Sequence, residues 1–221
     1  KDTYFSVTES LKIAAVHNNV NLELGWIDAE ELQSHISHLS SLKTYDGIIV
    51  PGGFGSRGVE GKILAIKYAR ENKIPFLGLC YGMQLATIEF ARNVAGLKKA
   101  NTTENDAKTP HPVIHIMPEQ EKKMLVNDYG GSMRLGAYPC KLVEGTKTLS
   151  AYRSQLTAKK NTINSNQKAD SGLRSAVSQI SERHRHRYEF NNKYRDILTK
   201  KGLTISGTSP DDLLVEIIEL S

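Results

Sequence analysis

Cys80 lies in the pentapeptide Gly78-Leu79-Cys80-Tyr81-Gly82, between the apolar run Ile74-Pro75-Phe76-Leu77 and a long apolar segment beginning at Met83. A short apolar run after a proline predicts a buried strand, and the longer segment predicts a helix. The cysteine therefore falls in a tight strand-to-helix turn of the kind that presents a nucleophile. Glycines on either side let the backbone bend and keep side chains away. The start of a helix favours negative charge on the sulfur. A thiolate so placed suits acyl transfer, in which sulfur attacks a carbonyl carbon and forms a thioester. The competing reading is a buried core cysteine beside two turn glycines.

Acyl transfer also requires hydrogen-bond donors aimed at the developing oxyanion. Pro51-Gly52-Gly53-Phe54-Gly55 follows the apolar run Ile48-Ile49-Val50 and supplies a flexible backbone for one donor; the N–H of Tyr81, just after the cysteine, supplies a second. In a parallel sheet both turns lie at the C-terminal ends of strands, where ligands bind. Neither phosphate-loop signature occurs, so a nucleotide cradle is disfavoured. A base oriented by a carboxylate is harder to find. Of His17, His35, His38, His111, His115, His184 and His186, none has Asp or Glu two residues later. The arginines flanking His184 and His186 would make either a poor base. The run Arg183-His184-Arg185-His186-Arg187 reads instead as a cationic strand for a carboxylate, with Arg187 as a fork donor, or as a merely solvated basic strand.

The elements that must position these residues follow in order. Residues 3–16 predict a helix with Thr3 as N-cap, and Val20-Asn21-Leu22-Glu23-Leu24 alternates as a strand does. Asp28 opens a short helix, Tyr45 to Val50 a buried strand, and Val59 to Glu71 a helix with Val59, Ile63, Ile66 and Ala69 on one face. The helix after Cys80 runs to about Ala95. Strands alternating with helices predict an α/β fold with a mainly parallel central sheet and helices on both faces. Beyond Ala100 the signals are irregular. Strands are expected at 113–117 and 137–143, a turn at Gly130-Gly131, a helix from Asn191 to Lys201, and strands at 203–206 and 213–220. Residues 153–178, polar and aperiodic, predict an exposed mobile insertion.

The bulk properties fit one globular domain spanning 1–221. A net charge of +5, much of it in two local runs, is a weak basis for nucleic-acid binding. The cysteines Cys80 and Cys140 have neither metal-ligand spacing nor the density of a disulfide scaffold, so no metal site and a reducing, cytoplasmic setting are expected. No apolar run approaches membrane-spanning length.

Several segments together resemble the glutamine amidotransferase domain of the CTP synthase family, a class I (triad) glutaminase of flavodoxin-like architecture. They are the 51–62 loop from Pro51 to Lys62, the 78–84 elbow, Asn101-Thr102-Thr103-Glu104, Gly130-Gly131-Ser132-Met133-Arg134-Leu135-Gly136, and Glu182 to Glu189. The elbow would suit other class I glutaminases, such as one serving GMP synthesis. A non-catalytic binding module that kept the fold is a further alternative.

The resemblance implies hydrolysis of L-glutamine through a Cys80 thioester. The released ammonia would aminate UTP to CTP on a synthase domain of the same polypeptide. Gly53, Tyr81, Gly82 and Met83 match backbone around the oxyanion and glutamine, while Gln84, Glu104 and Arg187 match residues that hold its amino-acid end. Phe54 and Arg134 match positions associated with GTP activation. No cofactor is implied in this domain; ATP and Mg2+ belong to the synthase domain, and the whole protein would be a homotetramer without membrane or nucleic-acid partners. The family's first strand is missing ahead of residue 3. The chain stops at Ser221, where the family continues into the His-Pro-Glu segment that supplies base and orienter. On that reading these 221 residues alone have little activity.

Overall fold

The computed structural model describes residues 4–116, 133–154 and 178–220. The chain divides into two compact units, Lys1–Glu89 and Phe90–Ser221. The expected turn at Gly130-Gly131 and nearly all of the expected insertion lie outside the described residues.

In the first unit, helix α1 (Phe5–His17) and the short helix α2 (Ala29–Ser34) precede a 3-10 helix over Ile36–Thr44. Strand β1 (Ile48–Val50), helix α3 (Val59–Glu71) and strand β2 (Phe76–Gly78) then form a strand–helix–strand unit, and helix α4 (Tyr81–Asn93) follows. The strands pair in parallel, with Ile48 opposite Phe76 and Val50 opposite Gly78. α3 has the predicted bounds, because its apolar repeat and the Gly58 turn before it agree; Val59, Ile63, Ile66 and Ala69 are all buried. Asp28 caps α2 by accepting from the Glu30 N–H at 2.8 Å. α1 departs from expectation by beginning after Tyr4 with no side-chain cap.

Val20 to Leu24 alternates but belongs to no strand ladder among the described residues, and Val20, Leu22 and Leu24 are exposed. Alternation prepares a segment for one face of a sheet; only a paired neighbour makes it a strand.

In the second unit, β3 (Asn101–Thr102), β4 (Pro112–Ile116) and β7 (Tyr188–Phe190) form one sheet, with β3 parallel and β7 antiparallel to β4. A second sheet, in the order β6 (Gln179–His186), β5 (Arg134–Leu142), β8 (Thr204–Thr208), β9 (Val215–Glu219), is antiparallel throughout. Helix α5 (Arg195–Lys200) continues a 3-10 turn at Asn192–Tyr194. Cys140, Leu142 and Leu149 form a buried cluster packed by Tyr152, Ile180 and Ile217.

These ladders correct the expectation of a mainly parallel sheet: among the described residues, β1–β2 and β3–β4 are parallel and the other strand pairs are antiparallel. The parallel β1–β2 pair is connected through the α3 crossover, whereas the short link between β8 and β9 returns the chain directly.

Candidate active site

The elbow is built by backbone contact. Leu79 donates its N–H to the Val50 carbonyl at 2.9 Å, which carries the β1–β2 pairing to the edge of the turn. Cys80 then takes a φ of +52°, a left-handed conformation unfavourable for any residue with a Cβ. Its carbonyl already accepts from Met83 and Gln84 at 3.1 and 3.2 Å, so the helix starts without a linking loop. A side chain at Gly82 would collide with the Val50 carbonyl oxygen, and one at Gly78 would meet the Gly82 backbone 2.7–2.8 Å away. Glycine at both positions is thus a consequence of how closely the strand and helix approach. Cys80 itself is exposed.

The glycine loop lies against this turn. A Cβ on Gly52 would sit 3.6 Å from the Cys80 Cβ, and one on Gly53 3.6 Å from the Tyr81 ring. The buried Tyr81 ring fastens the loop by donating its hydroxyl to the Gly55 carbonyl at 2.6 Å. Lys62 stands over the same ring, its Nζ 5.7 Å from the centroid, and burial pushes its ammonium pKa below the ordinary value. Loop and elbow are therefore one assembly, and the residues expected to stabilise an oxyanion, Gly53 and Tyr81, lie side by side. Phe54 projects from the loop, 86% exposed. Gln84, one turn into α4, is buried.

In the second unit, Glu104 follows β3 in a turn where its N–H donates to the Thr102 hydroxyl at 3.2 Å. Arg187 is the single residue between β6 and β7. Tyr188 beside it has its phenol pKa raised by burial and by the negative field of Glu104, with Arg187 acting the other way. Glu104 and Arg187, singled out separately in the sequence, thus converge on one tyrosine.

Arg134, matched in the sequence to a position associated with GTP activation, sits in a network of charged side chains. It is 8% exposed, and its guanidinium bonds to Glu216 at 2.9 and 3.3 Å and to Glu189 at 3.1 Å, while lying over the Tyr138 ring at 4.5 Å. His186 Nε2 reaches the same Glu189 oxygen at 2.9 Å, and His184 Nδ1 stands 3.6 Å from Glu216. Burial lowers the His184 pKa against the pull of Glu216. Sequence reasoning missed Glu189 and Glu216 as partners; the one available signal was acidic residues in otherwise apolar strands. His186 does pair with a carboxylate, but three residues away and across a strand corner.

Burial alone would raise the Glu189 pKa, yet the hydrogen bond and charge of His186, with Arg134, hold it below its ordinary 4.5. A carboxylate depressed on folding contributes stability that is present above the unfolded value and lost as pH falls through the folded one. Wild type should therefore lose more stability than Glu189→Gln between about pH 5 and 3, as read from urea midpoints. Equal slopes for the two proteins would show that the network carries no such linkage.

Among the described residues, no cluster of His, Cys, Asp or Glu is arranged to hold a metal ion, and no helix is long and apolar enough to cross a membrane.

The model of the family "Glutamine amidotransferase class-I" matches residues 1–221. The chain belongs to the class-I glutamine amidotransferases. The CTP synthase of Caldanaerobacter subterraneus subsp. tengcongensis is 55% identical over 220 residues, which are 99% of this chain and 36% of the relative. That of Carboxydothermus hydrogenoformans is 54% identical over 222 residues, 100% of this chain and 36% of the relative. The chain thus spans about a third of the length of these curated relatives. Among solved structures, the glutaminase domain of Trypanosoma brucei CTPS with bound acivicin superposes with a TM-score of 0.81 at 36% identity, covering 99% of this chain and 75% of that one. The class-I amidotransferase fold is thereby established for this chain, with the strand directions given above.

Proposed function

We propose that this amidotransferase is the glutaminase part of a CTP synthase, supplying ammonia for the amination of UTP. The observation that carries the reading is Cys80, exposed at a left-handed φ of +52° with the Gly52–Gly53 loop packed against it. Its sulfur attacks the side-chain amide carbon of L-glutamine, and the carbonyl oxygen becomes an oxyanion. The N–H groups of Gly53 and Tyr81 would receive that charge. Collapse breaks the carbon–nitrogen bond, and the thiol proton leaves on ammonia. Water then hydrolyses the thioester, restoring the thiol and releasing glutamate.

Gly82, Met83 and Gln84 stand in the first turn of α4, directly after Cys80, and would contact the glutamine. Glu104 suits the α-ammonium and Arg187 the α-carboxylate by charge and fork geometry. The synthase portion of the polypeptide would use the ammonia with ATP and Mg2+, in a cytoplasmic homotetramer activated by GTP. Phe54, exposed on its loop, and Arg134, which two carboxylates hold in place, would serve that activation. The flavodoxin-like description of the fold rests on the β1–α3–β2 crossover and the family.

A chloroketone analogue of glutamine tests the nucleophile. One equivalent should attach to Cys80, with protection by glutamine, and none to Cys140, whose thiol pKa burial raises to about 12. Labelling of Cys140 instead, or labelling indifferent to glutamine, would sink the assignment. In the polypeptide of natural length, CTP formation from UTP, ATP and glutamine should fail with Cys80→Ala but continue when ammonia is added directly. Failure with both nitrogen donors would contradict the division of labour.

A further inference from the structure

β6 belongs to the four-stranded sheet and ends at His186; β7 belongs to the three-stranded sheet and begins at Tyr188. Arg187 alone carries the chain from one sheet to the other. A residue in such a corner is placed by whatever holds the two strand ends, and here both ends are held by side chains. His186 Nε2 and Glu189 Oε1 are 2.9 Å apart across the corner, and the ionised carboxylate can only accept, so the ring N–H donates. Arg134, directly opposite His186 in the β5–β6 register, donates to that same oxygen at 3.1 Å. Glu216 on β9 anchors Arg134 from behind, with His184 at 3.6 Å from Glu216 and the Tyr138 ring against both His184 and Arg134.

The charges explain why the histidine is required. Two buried carboxylates face one guanidinium, leaving a negative charge that an imidazole N–H must serve. The network therefore fixes four strand ends around one arginine.

We propose that His186 and Glu189 are positioning residues which, clamped by Arg134, hold the sheet-switching corner so that Arg187 presents its guanidinium to the α-carboxylate of glutamine. The inference rests on the glutaminase reading above. It assigns these residues no contact with substrate: they act through the placement of Arg187 and its neighbour Tyr188. The consequence is selective. Loosening the corner weakens recognition of the carboxylate end and leaves bond breaking at Cys80 intact.

The test uses the polypeptide of natural length. His186→Asn, whose amide is too short to span the corner, should raise the KM for glutamine about 10-fold with kcat within about 2-fold. His186→Gln, which can still offer an N–H to Glu189, should restore KM to within about 3-fold of wild type. Hydrolysis of 4-aminobutanamide, which is glutamine without its α-carboxylate, should change less than about 2-fold in either variant. An unchanged glutamine KM in His186→Asn would overturn the proposal. So would an equal loss towards both substrates, the signature of general damage, or the absence of any rescue by glutamine at this position. Hydrolysis retained by Cys80→Ala would instead overturn the glutaminase reading itself, and this inference with it.

Discussion

Replacing Cys80 by glycine is expected to give a protein more stable by about 0.5–1 kcal/mol and unable to hydrolyse glutamine. The stability gain follows from the backbone. At a φ of +52° a residue with a Cβ is strained by roughly 1–2 kcal/mol, and glycine removes that strain. Glycine also gives the unfolded chain more freedom, which takes back about 0.4–1 kcal/mol and leaves a modest net benefit. The activity loss follows from chemistry. Without sulfur there is no thioester, and loss of a covalent nucleophile costs on the order of 10⁴-fold or more. Urea midpoints at constant m-value measure the first effect and ammonia release the second. A glycine variant less stable than wild type would mean that the elbow is relaxed around its cysteine. The wild-type residue is then best understood as a stability cost accepted for chemistry.

The second large effect concerns a pair far from any reacting atom. Arg70 on α3 grips Glu89 on α4 at 2.8, 3.0 and 3.2 Å, and Glu89 is 0% exposed. Arg70→Ala should cost about 3–5 kcal/mol, because it takes the guanidinium away from a carboxylate that stays in the interior. The double variant Arg70→Met/Glu89→Leu should recover most of that loss, since replacing both partners removes the charge as well as its partner. Thermal or urea unfolding of the two single variants and the double completes the cycle. A nearly neutral Arg70→Ala would show that Glu89 is satisfied without its guanidinium. The pair joins the helix after β1 to the helix that follows Cys80, so its loss should also reduce the population with a well-formed elbow.

What the sequence revealed was mainly local. α3, the short α2 and the elbow follow from apolar spacing, a capping Asp28 and glycines set around one cysteine, each acting over a few residues. Signals of that range do not say which strands meet. Val20 to Leu24 has the alternation of a strand without a ladder among the described residues, and the strands beyond Ala100 pair mostly antiparallel, often with partners far along the chain. The candidate site divides in the same way. Cys80, Gly53 and Tyr81 are close in sequence or joined through a neighbouring strand, so pattern and chemistry suffice to assemble them. Arg134 meets Glu189 and Glu216 across 55 and 82 residues, and its guanidinium could not be seen as spoken for until the ladder placed all three together.

The corner at Arg187 leaves no slack in chain length. Successive residues of a strand face opposite sides, so adding or deleting one residue between His186 and Tyr188 would invert every side chain of β7. Glu189, held inward by Arg134 and His186, would exchange sides with Tyr188 and Phe190. This one joint makes the spacing between two sheets a matter of parity: an odd change destroys it, so the interval from Arg183 to Phe190 should be among the parts of the chain least open to insertion.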